Sequence, residues 1–198
     1  MDSFIKSIRV SLAVFITIAL VYLLFVWVIG LLLSPNGGKP VAVKSNGKIA
    51  GIENIGQNFS DDTYFWGRPS CAGNDGYDAT HSGGSNKATG NKEYLQTVES
   101  RIELFLLRHP YLKKEHVPSE MVTASGSGLD SDISPEAASV QIKRVAAARN
   151  IDESIVAELV GKYTGHPVLG LFGPAKINVL RLNCALDELT IKYNANRK

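Results

Sequence analysis

The chain has 198 residues, of which 44% are hydrophobic and 20% charged, and its formal net charge at pH 7 is +2. This length accommodates one domain of ordinary size and a short additional segment. The near balance of charge disfavours a nucleic-acid-binding protein, because such proteins carry a concentrated basic surface. The two cysteines, Cys71 and Cys184, fit no metal or redox spacing and leave both a disulfide and two free thiols open.

The first feature along the chain is an uncharged apolar segment, residues 10–33, dominated by Leu, Val, Ile and Phe. At about 1.5 Å per residue its helix is roughly 36 Å long, enough to cross a hydrocarbon layer about 30 Å thick. A cleavable signal peptide is the alternative, but its apolar region is usually only about 7–15 residues and ends in a small-x-small cleavage site. We therefore predict a permanent membrane anchor that crosses the bilayer once.

Charges on the two sides of the segment bear on its orientation. Lys6 and Arg9 precede it, which favours an N-terminus in the cytoplasm, whereas Lys39, Lys44 and Lys48 follow it and weaken that bias. We expect a cytoplasmic N-terminus and an extracytoplasmic domain.

Local signals predict the elements that follow the anchor. Residues 34–40 consist mostly of turn-forming residues and are typical of a linker. Asn46-Gly47 lies between two alternating apolar runs, which favours a β-hairpin with a type I′ turn. Residues 67–91 are rich in Gly, Ser and Asn, and so long a loop inside a domain is usually functional or disordered.

The second half of the chain predicts helices. Apolar residues from Tyr94 to Leu106 recur at steps of three and four, and this helix is expected to stop at Pro110. Ser134 before a proline marks a helix start, and Asp152 is expected to cap the next helix. A short strand within residues 177–180 and a final amphipathic helix complete the chain.

The sequence thus predicts an α+β fold: a single N-terminal transmembrane helix followed by one compact mixed α/β soluble domain. The expected divisions are an N-terminal tail at 1–9, the transmembrane helix at 10–33, a linker at 34–40 and the soluble domain at 41–198.

Catalytic signatures are missing from the sequence. It has neither the G-x-S-x-G turn of serine hydrolases nor the G-x-x-x-x-G-K-[ST] loop that holds phosphates. The four histidines show no HExxH or i,i+4 pair, so we expect them at the surface or in loops. We predict no catalytic residue, no metal site and no covalently bound cofactor.

Three polar segments supply the candidate binding residues. In the first, Gln57, Asn58 and Arg68 flank an aromatic run and could serve in recognition, although the aromatics themselves are explained most simply as core anchors. In the second, the small residues of 82–86 would let backbone N–H groups approach an anion or a partner, but tight turns explain them equally well.

The third segment, 122–130, places a glycine-rich turn before a helix N-terminus, which resembles an anion site on physical grounds. Asp130 and Asp132 add negative charge beside it and favour a structural interpretation. The candidates for binding a partner or a nucleotide are Gln57, Asn58, Arg68, Ser82, Gly83, Gly84, Ser85, Asn86, Ser125, Ser127 and Asp130.

Five stretches in this order carry a resemblance: IGQNFSDDTYFWGRPS, SGGSN, VTASGSGLDSDISPEAA, RVAAARN and NVLRLNCALD. Behind a single N-terminal anchor, they resemble the C-subunit (KdpC) family of the Kdp potassium-transporting P-type ATPases, the bacterial high-affinity potassium pumps. Cys71 departs from the pattern, since the family usually has a small residue such as threonine or alanine there.

The resemblance implies membership of a complex in the inner membrane. A channel-like subunit admits potassium, a P-type subunit hydrolyses ATP, and the C subunit is an accessory that is described as a catalytic chaperone raising ATP affinity. ATP and potassium would then be handled by the complex. The residues agree with an accessory role, because one helix cannot enclose an ion path and the D-K-T-G-T phosphorylation motif is absent.

Two other functions remain open from the residues alone. One is a signal-anchored extracytoplasmic hydrolase, for which the sequence offers no recognisable pair of catalytic groups. The other is a solitary binding module that delivers a small ligand to a transporter.

Overall fold

A computed structural model describes residues 2–45, 47–167 and 169–195. The chain forms two compact units, Met1–Val41 and Ala42–Lys198. The first is a long apolar helix with a short turn after it, and the second combines helices with short strands. The predicted α+β fold class is confirmed.

The N-terminal unit is a nearly continuous helix. It consists of α1 (Asp2–Thr17), a π-helical turn (Ile18–Tyr22) and α2 (Leu23–Leu33). Among the described residues, Ser3–Leu33 is the one helix long and apolar enough to cross a membrane. A 3₁₀ turn over Pro35–Gly38 follows it.

The second unit begins with the predicted hairpin. Strands β1 (Ala42–Ser45) and β2 (Lys48–Ile52) pair antiparallel, with Ser45 opposite Lys48. Gly47 has φ +76°, the sign that a type I′ turn requires. Asn46, the other central residue of the predicted turn, lies outside the described residues.

The rest of the second unit is mainly helical. Two short 3₁₀ turns lie at Lys114–His116 and Ser119–Met121. The remaining elements, in chain order, are α3 (Lys92–Arg108), β3 (Asp132–Ile133), α4 (Pro135–Ser139), α5 (Ile142–Arg149), α6 (Glu153–Tyr163), β4 (Ile177–Asn178) and α7 (Val179–Ala195). Strands β3 and β4 pair antiparallel.

The helix ends only partly follow the sequence signals. Ser134 caps α4 as predicted, since its Oγ accepts a hydrogen bond from the N–H of Ala137 at 3.0 Å. Asp152 occupies the N-cap position of α6 as predicted, but its carboxylate makes no capping hydrogen bond to the described residues of that helix. It accepts a hydrogen bond from the hydroxyl of Tyr193 at 3.3 Å instead.

The core lies where α5, α6 and α7 pack together, and Val145, Val156 and Leu186 are fully buried there. Residues 53–91 contain no helix or strand, yet they are not a detached loop. Phe65 and Ala72 from this stretch are also fully buried. The domain therefore completes its core with irregular backbone, whose polar groups must find hydrogen bonds elsewhere.

Candidate functional site

A buried arginine holds the aromatic segment of residues 61–70 against the core. Arg144 on α5 donates hydrogen bonds to the carbonyl oxygens of Asp62 at 2.5 Å and Tyr64 at 3.0 Å. Its guanidinium carbon lies 4.1 Å from the centre of the Trp66 ring, which adds a cation–π contact. Burial lowers the pKa of Arg144 to about 10, so the side chain stays charged at neutral pH.

Two buried amides satisfy the backbone of the same segment. The Gln141 side chain accepts from the N–H of Trp66 at 2.8 Å and donates to its carbonyl at 3.2 Å. Asn183 on α7 does the same for Phe65, at 2.9 Å in each direction. Each amide makes the two hydrogen bonds that a neighbouring β-strand would otherwise make to the N–H and the carbonyl of that residue. The backbone of this segment is therefore satisfied without a sheet.

His109, predicted to lie at the surface or in a loop, follows the last residue of α3 in the connecting segment but is fully buried, so the surface prediction is wrong. Its Nδ1 is 2.7 Å from the carbonyl oxygen of Phe105, and its Nε2 accepts from Nε of Arg144 at 3.0 Å. The ring stacks on Phe105 at a centroid distance of 4.0 Å. Burial, with the nearby Arg144 charge, lowers the pKa of His109 to about 4, so the imidazole is neutral at pH 7.

Two of the predicted polar segments meet. The N–H of Gly83 donates to the carbonyl of Ser127 at 2.8 Å, and the Ser82 hydroxyl donates to the same oxygen at 2.9 Å. Gly128 has φ +68°, and a Cβ there would lie 2.5 Å from the carbonyl oxygen of Gly83. Gly84 is close as well, since its Cβ would lie 3.0 Å from the carbonyl of Gly126. The glycines therefore serve a close backbone-to-backbone contact.

Arg68 and Asp130 join the first and third segments in an ion pair of 3.1 Å, with both side chains half-buried. The other Asp130 oxygen accepts a hydrogen bond from the backbone N–H of Asp132 at 3.1 Å. The Ser127 hydroxyl accepts one from the backbone N–H of Leu129 at 3.1 Å. Ser125 is buried, and among the described residues its hydroxyl oxygen has no hydrogen-bond partner. Most polar groups of this cluster thus bond within the fold.

The remaining candidates are two pairs of neighbours in the chain, Gln57 with Asn58 and Ser85 with Asn86. The Gln57 amide lies against Gly51 of β2, where an added Cβ would overlap it, and Asn58 is exposed. Ser85 lines a small hollow of about 290 Å³ between Cys71 and Arg101. Asn86 is exposed, with φ +49°. Binding of a partner or nucleotide by these residues stays a prediction.

An apolar groove lies beside the aromatic segment of residues 61–70. It has a volume of about 310 Å³, and arginines stand at two positions of its wall. Leu104 on α3 is 63% exposed although it lines the groove. The lining residues are Phe59, Ser60, Trp66, Gly67, Pro69, Arg101, Leu104, Phe105, Arg108 and Met121. Arg101 and Arg108 place positive charge at the wall of the groove, and Arg108 is paired with Asp62 at 2.7 Å.

The structure also places the metal-ligating and thiol side chains. Within residues 2–45, 47–167 and 169–195, no group of three His, Cys, Asp or Glu side chains is arranged to hold a metal ion. Cys71 and Cys184 are both free thiols. Burial raises the pKa of the Cys184 thiol, with a contribution from Asp187.

Gln141, Arg144 and Asn183 were not among the predicted site residues, although a signal for them existed. Asn183 lies between Val179 and Leu186 on the buried face of α7, and Gln141 lies four residues before the buried Val145. A polar side chain on an apolar stripe is buried only when it is hydrogen-bonded, so such positions indicate a structural polar contact.

A helix long and apolar enough to cross a membrane, followed by a mixed helix-and-strand domain, is the architecture expected of a membrane-anchored protein. The family model for the K+-transporting ATPase c chain, KdpC, matches residues 4–188. The chain belongs to this family.

Relatives cover almost the whole chain. It is 52% identical over 188 residues to the potassium-transporting ATPase KdpC subunit of Phocaeicola vulgatus, covering 95% of this chain and 99% of that protein. It is 52% identical over 189 residues to the protein of the same name from Bacteroides fragilis, covering 96% and 98%. The likeness to the one from Flavobacterium psychrophilum is 45% over 189 residues, covering 96% and 100%.

Replacing Gly128 should destabilise the domain, whereas the neighbouring Gly126 offers a matched control. Gly128→Ala adds a Cβ at positive φ against the Gly83 carbonyl, and we expect a loss of about 2 kcal/mol or more in the free energy of unfolding. Gly126→Ala meets nothing within 4 Å and should change it by less than about 0.5 kcal/mol. Urea unfolding of the full chain in detergent micelles measures both. Equal losses would show that the 83–128 contact is not tight.

Acidification should destabilise the domain through His109. Its pKa is about 4 in the folded state against 6.5 unfolded, so only the unfolded chain gains this proton as the pH falls from 6.5 towards 4. The stability linked to the neutral imidazole is complete above pH 6.5, and about 3 kcal/mol of it is lost by pH 4.

His109→Gln removes this titration while it keeps a donor and an acceptor. Urea unfolding at several pH values, followed by Trp66 fluorescence in a Trp27→Phe background, should therefore give a shallower acid loss for the variant. Parallel pH profiles would contradict the assignment.

Proposed function

We propose that this chain is the accessory C subunit of an ATP-driven potassium uptake pump and that it works without a catalytic centre of its own. The observation that carries the proposal is the family match over residues 4–188, together with relatives named as subunits of a potassium-transporting ATPase. Its partners are then a channel-like subunit, an ATP-hydrolysing P-type subunit and membrane lipid. A single membrane helix cannot enclose an ion path, so transport belongs to the assembly.

The non-catalytic role draws support from the polar residues of the domain. Arg144, Gln141 and Asn183 bond to the backbone of the aromatic segment, which leaves them unavailable to a substrate. His109 is buried and neutral, and its ring nitrogens face Phe105 and Arg144. A domain of this kind acts through the proteins that it binds.

The domain lies outside the cytoplasm in this proposal, with the N-terminus inside and the helix in the inner membrane. Lys6 and Arg9 before the apolar helix support this orientation. ATP is cytoplasmic, so the domain raises ATP affinity as a catalytic chaperone only through a coupling free energy carried by the complex. Such coupling is reciprocal: ATP bound to the hydrolysing subunit tightens the binding of this chain by the same factor.

The apolar groove is the site at which a partner subunit binds the domain. Its apolar wall and flanking arginines suit a segment with apolar and acidic side chains. Arg108 keeps donors for such a segment even though it already pairs with Asp62 at 2.7 Å.

Protease added to intact spheroplasts should digest the domain and leave a protected fragment that contains the apolar helix. The domain should instead be protected in inside-out vesicles, where the extracytoplasmic face is enclosed. Immunoblotting against a tag at the C-terminus follows the domain in both preparations, and a tag at the N-terminus detects the protected fragment. The reverse pattern would place the domain in the cytoplasm and make direct contact with ATP the better explanation.

Copurification of the native complex tests the partners and the groove together. The wild-type chain should retain both the channel-like and the hydrolysing subunits in mild detergent. Leu104→Arg places a charge in the groove and should lower their recovery about tenfold, because buried interface positions typically cost about 1.4 kcal/mol or more.

The matched control is Leu107→Arg, on the same helix, exposed and outside the groove lining. It should leave recovery unchanged. Equal losses in both variants would remove the groove from the interface, whereas a wild-type chain purified alone would overturn the pump assignment itself.

A further inference from the structure

A loop before the last strand carries an exposed apolar tip. Its base is closed by two hydrogen bonds between Gly165 and Lys176, of 2.8 and 3.0 Å. At the tip, Leu169, Leu171 and Phe172 are 84%, 81% and 64% exposed. Three large apolar side chains side by side in water mark a surface that another apolar phase covers.

The charged residues of this loop and of the helix end before it are basic. Residues 161–176 contain Lys162 and Lys176 and no Asp or Glu. Lys176 is neutralised by Asp132 at 2.6 Å, whereas Lys162 has no carboxylate within ion-pair distance among the described residues, although it lines a hollow with Glu53 and Asp132. An apolar tip on a loop whose own charges are basic complements an interface between hydrocarbon and anionic headgroups.

Covalent continuity keeps the domain close to such an interface. Residues 34–41 join the end of the apolar helix to the first strand, and a chain of that length extends at most about 30 Å. Whichever bilayer holds the helix is therefore always near the domain, and weak insertion of a few side chains becomes an intramolecular event with a high effective concentration.

We propose that the loop between Gly165 and Lys176 is a membrane contact: Leu169, Leu171 and Phe172 enter the interfacial layer of the bilayer, with Lys162 facing anionic headgroups. This second attachment would restrict the orientation of the domain on the membrane. The inference rests on the apolar helix lying in a bilayer and does not depend on the pump role. A docking site for a protein is the alternative that the experiment must separate.

The test uses the full chain in nanodiscs of phosphatidylethanolamine and phosphatidylglycerol, part of it brominated near the top of the acyl chains. A Trp27→Phe background keeps Trp66, so the emission of the parent is subtracted. The emission that Phe172→Trp adds reports on the tip and should be quenched and blue-shifted. The matched control is Ile191→Trp, an exposed position 12 residues beyond Val179 on α7 and thus about 18 Å along the helix. It should not be quenched. Equal emission at the two positions would overturn the proposal.

Two further measurements sharpen the result. Leu171→Gln, combined with the Phe172→Trp reporter, should lower the inserted fraction about tenfold, as expected for one lost apolar side chain. Lys162→Gln, or replacement of phosphatidylglycerol by phosphatidylcholine, should lower it several-fold. Quenching of Trp27 in the native background reports separately that the anchor is inserted, so a failure of the tip and a failure of the anchor are distinguishable.

The same position decides between lipid and protein in the assembled complex. A benzophenone amino acid at position 172 should give lipid adducts after irradiation. Adducts with another polypeptide would overturn the proposal and assign the tip to a subunit interface.

Discussion

The domain depends on a charged group in a place that usually excludes charge. Moving an ion out of water costs several kcal/mol unless hydrogen bonds replace its hydration. Arg144 meets this condition with the carbonyl oxygens of Asp62 and Tyr64, the Gln141 amide and the neutral His109. A lysine could not do the same, because it lacks the planar fork that reaches several acceptors at once.

The buried polar cluster of Arg144, Gln141 and Asn183, which holds residues 61–70, also shapes the surface beside it. Trp66 packs against Arg144 and has its backbone held by Gln141, while its indole lines the apolar groove. The buried polar network thus fixes the position of a residue that lines the apolar groove. One wall of the groove is therefore held in a defined position by buried hydrogen bonds.

Local signals in the sequence were enough for the long apolar helix, the hairpin and the start of α4, because each depends on residues close together in the chain. The hydrogen bonds of this buried polar cluster were not predictable in the same way. Asn183 bonds to Phe65 across 118 positions, and Gln141 bonds to Trp66 across 75. Arg68 and Asp130 were each singled out, but their pairing across 62 positions needed the fold. The wrong prediction for His109 has the same cause, since nothing near it in the chain indicates that Arg144 will cover it.

The reliance of the aromatic segment on α5 and α7 has a consequence for biosynthesis. The apolar helix is made before the domain, and Asn183 is made 118 residues after Phe65. Until then Phe65 has no amide to bond with, so the nascent domain remains incomplete. Contacts this distant in sequence slow folding and expose apolar surface in the interval. A chain that ends before α7 would therefore leave the backbone groups of Phe65 without their amide partner and the apolar core uncovered.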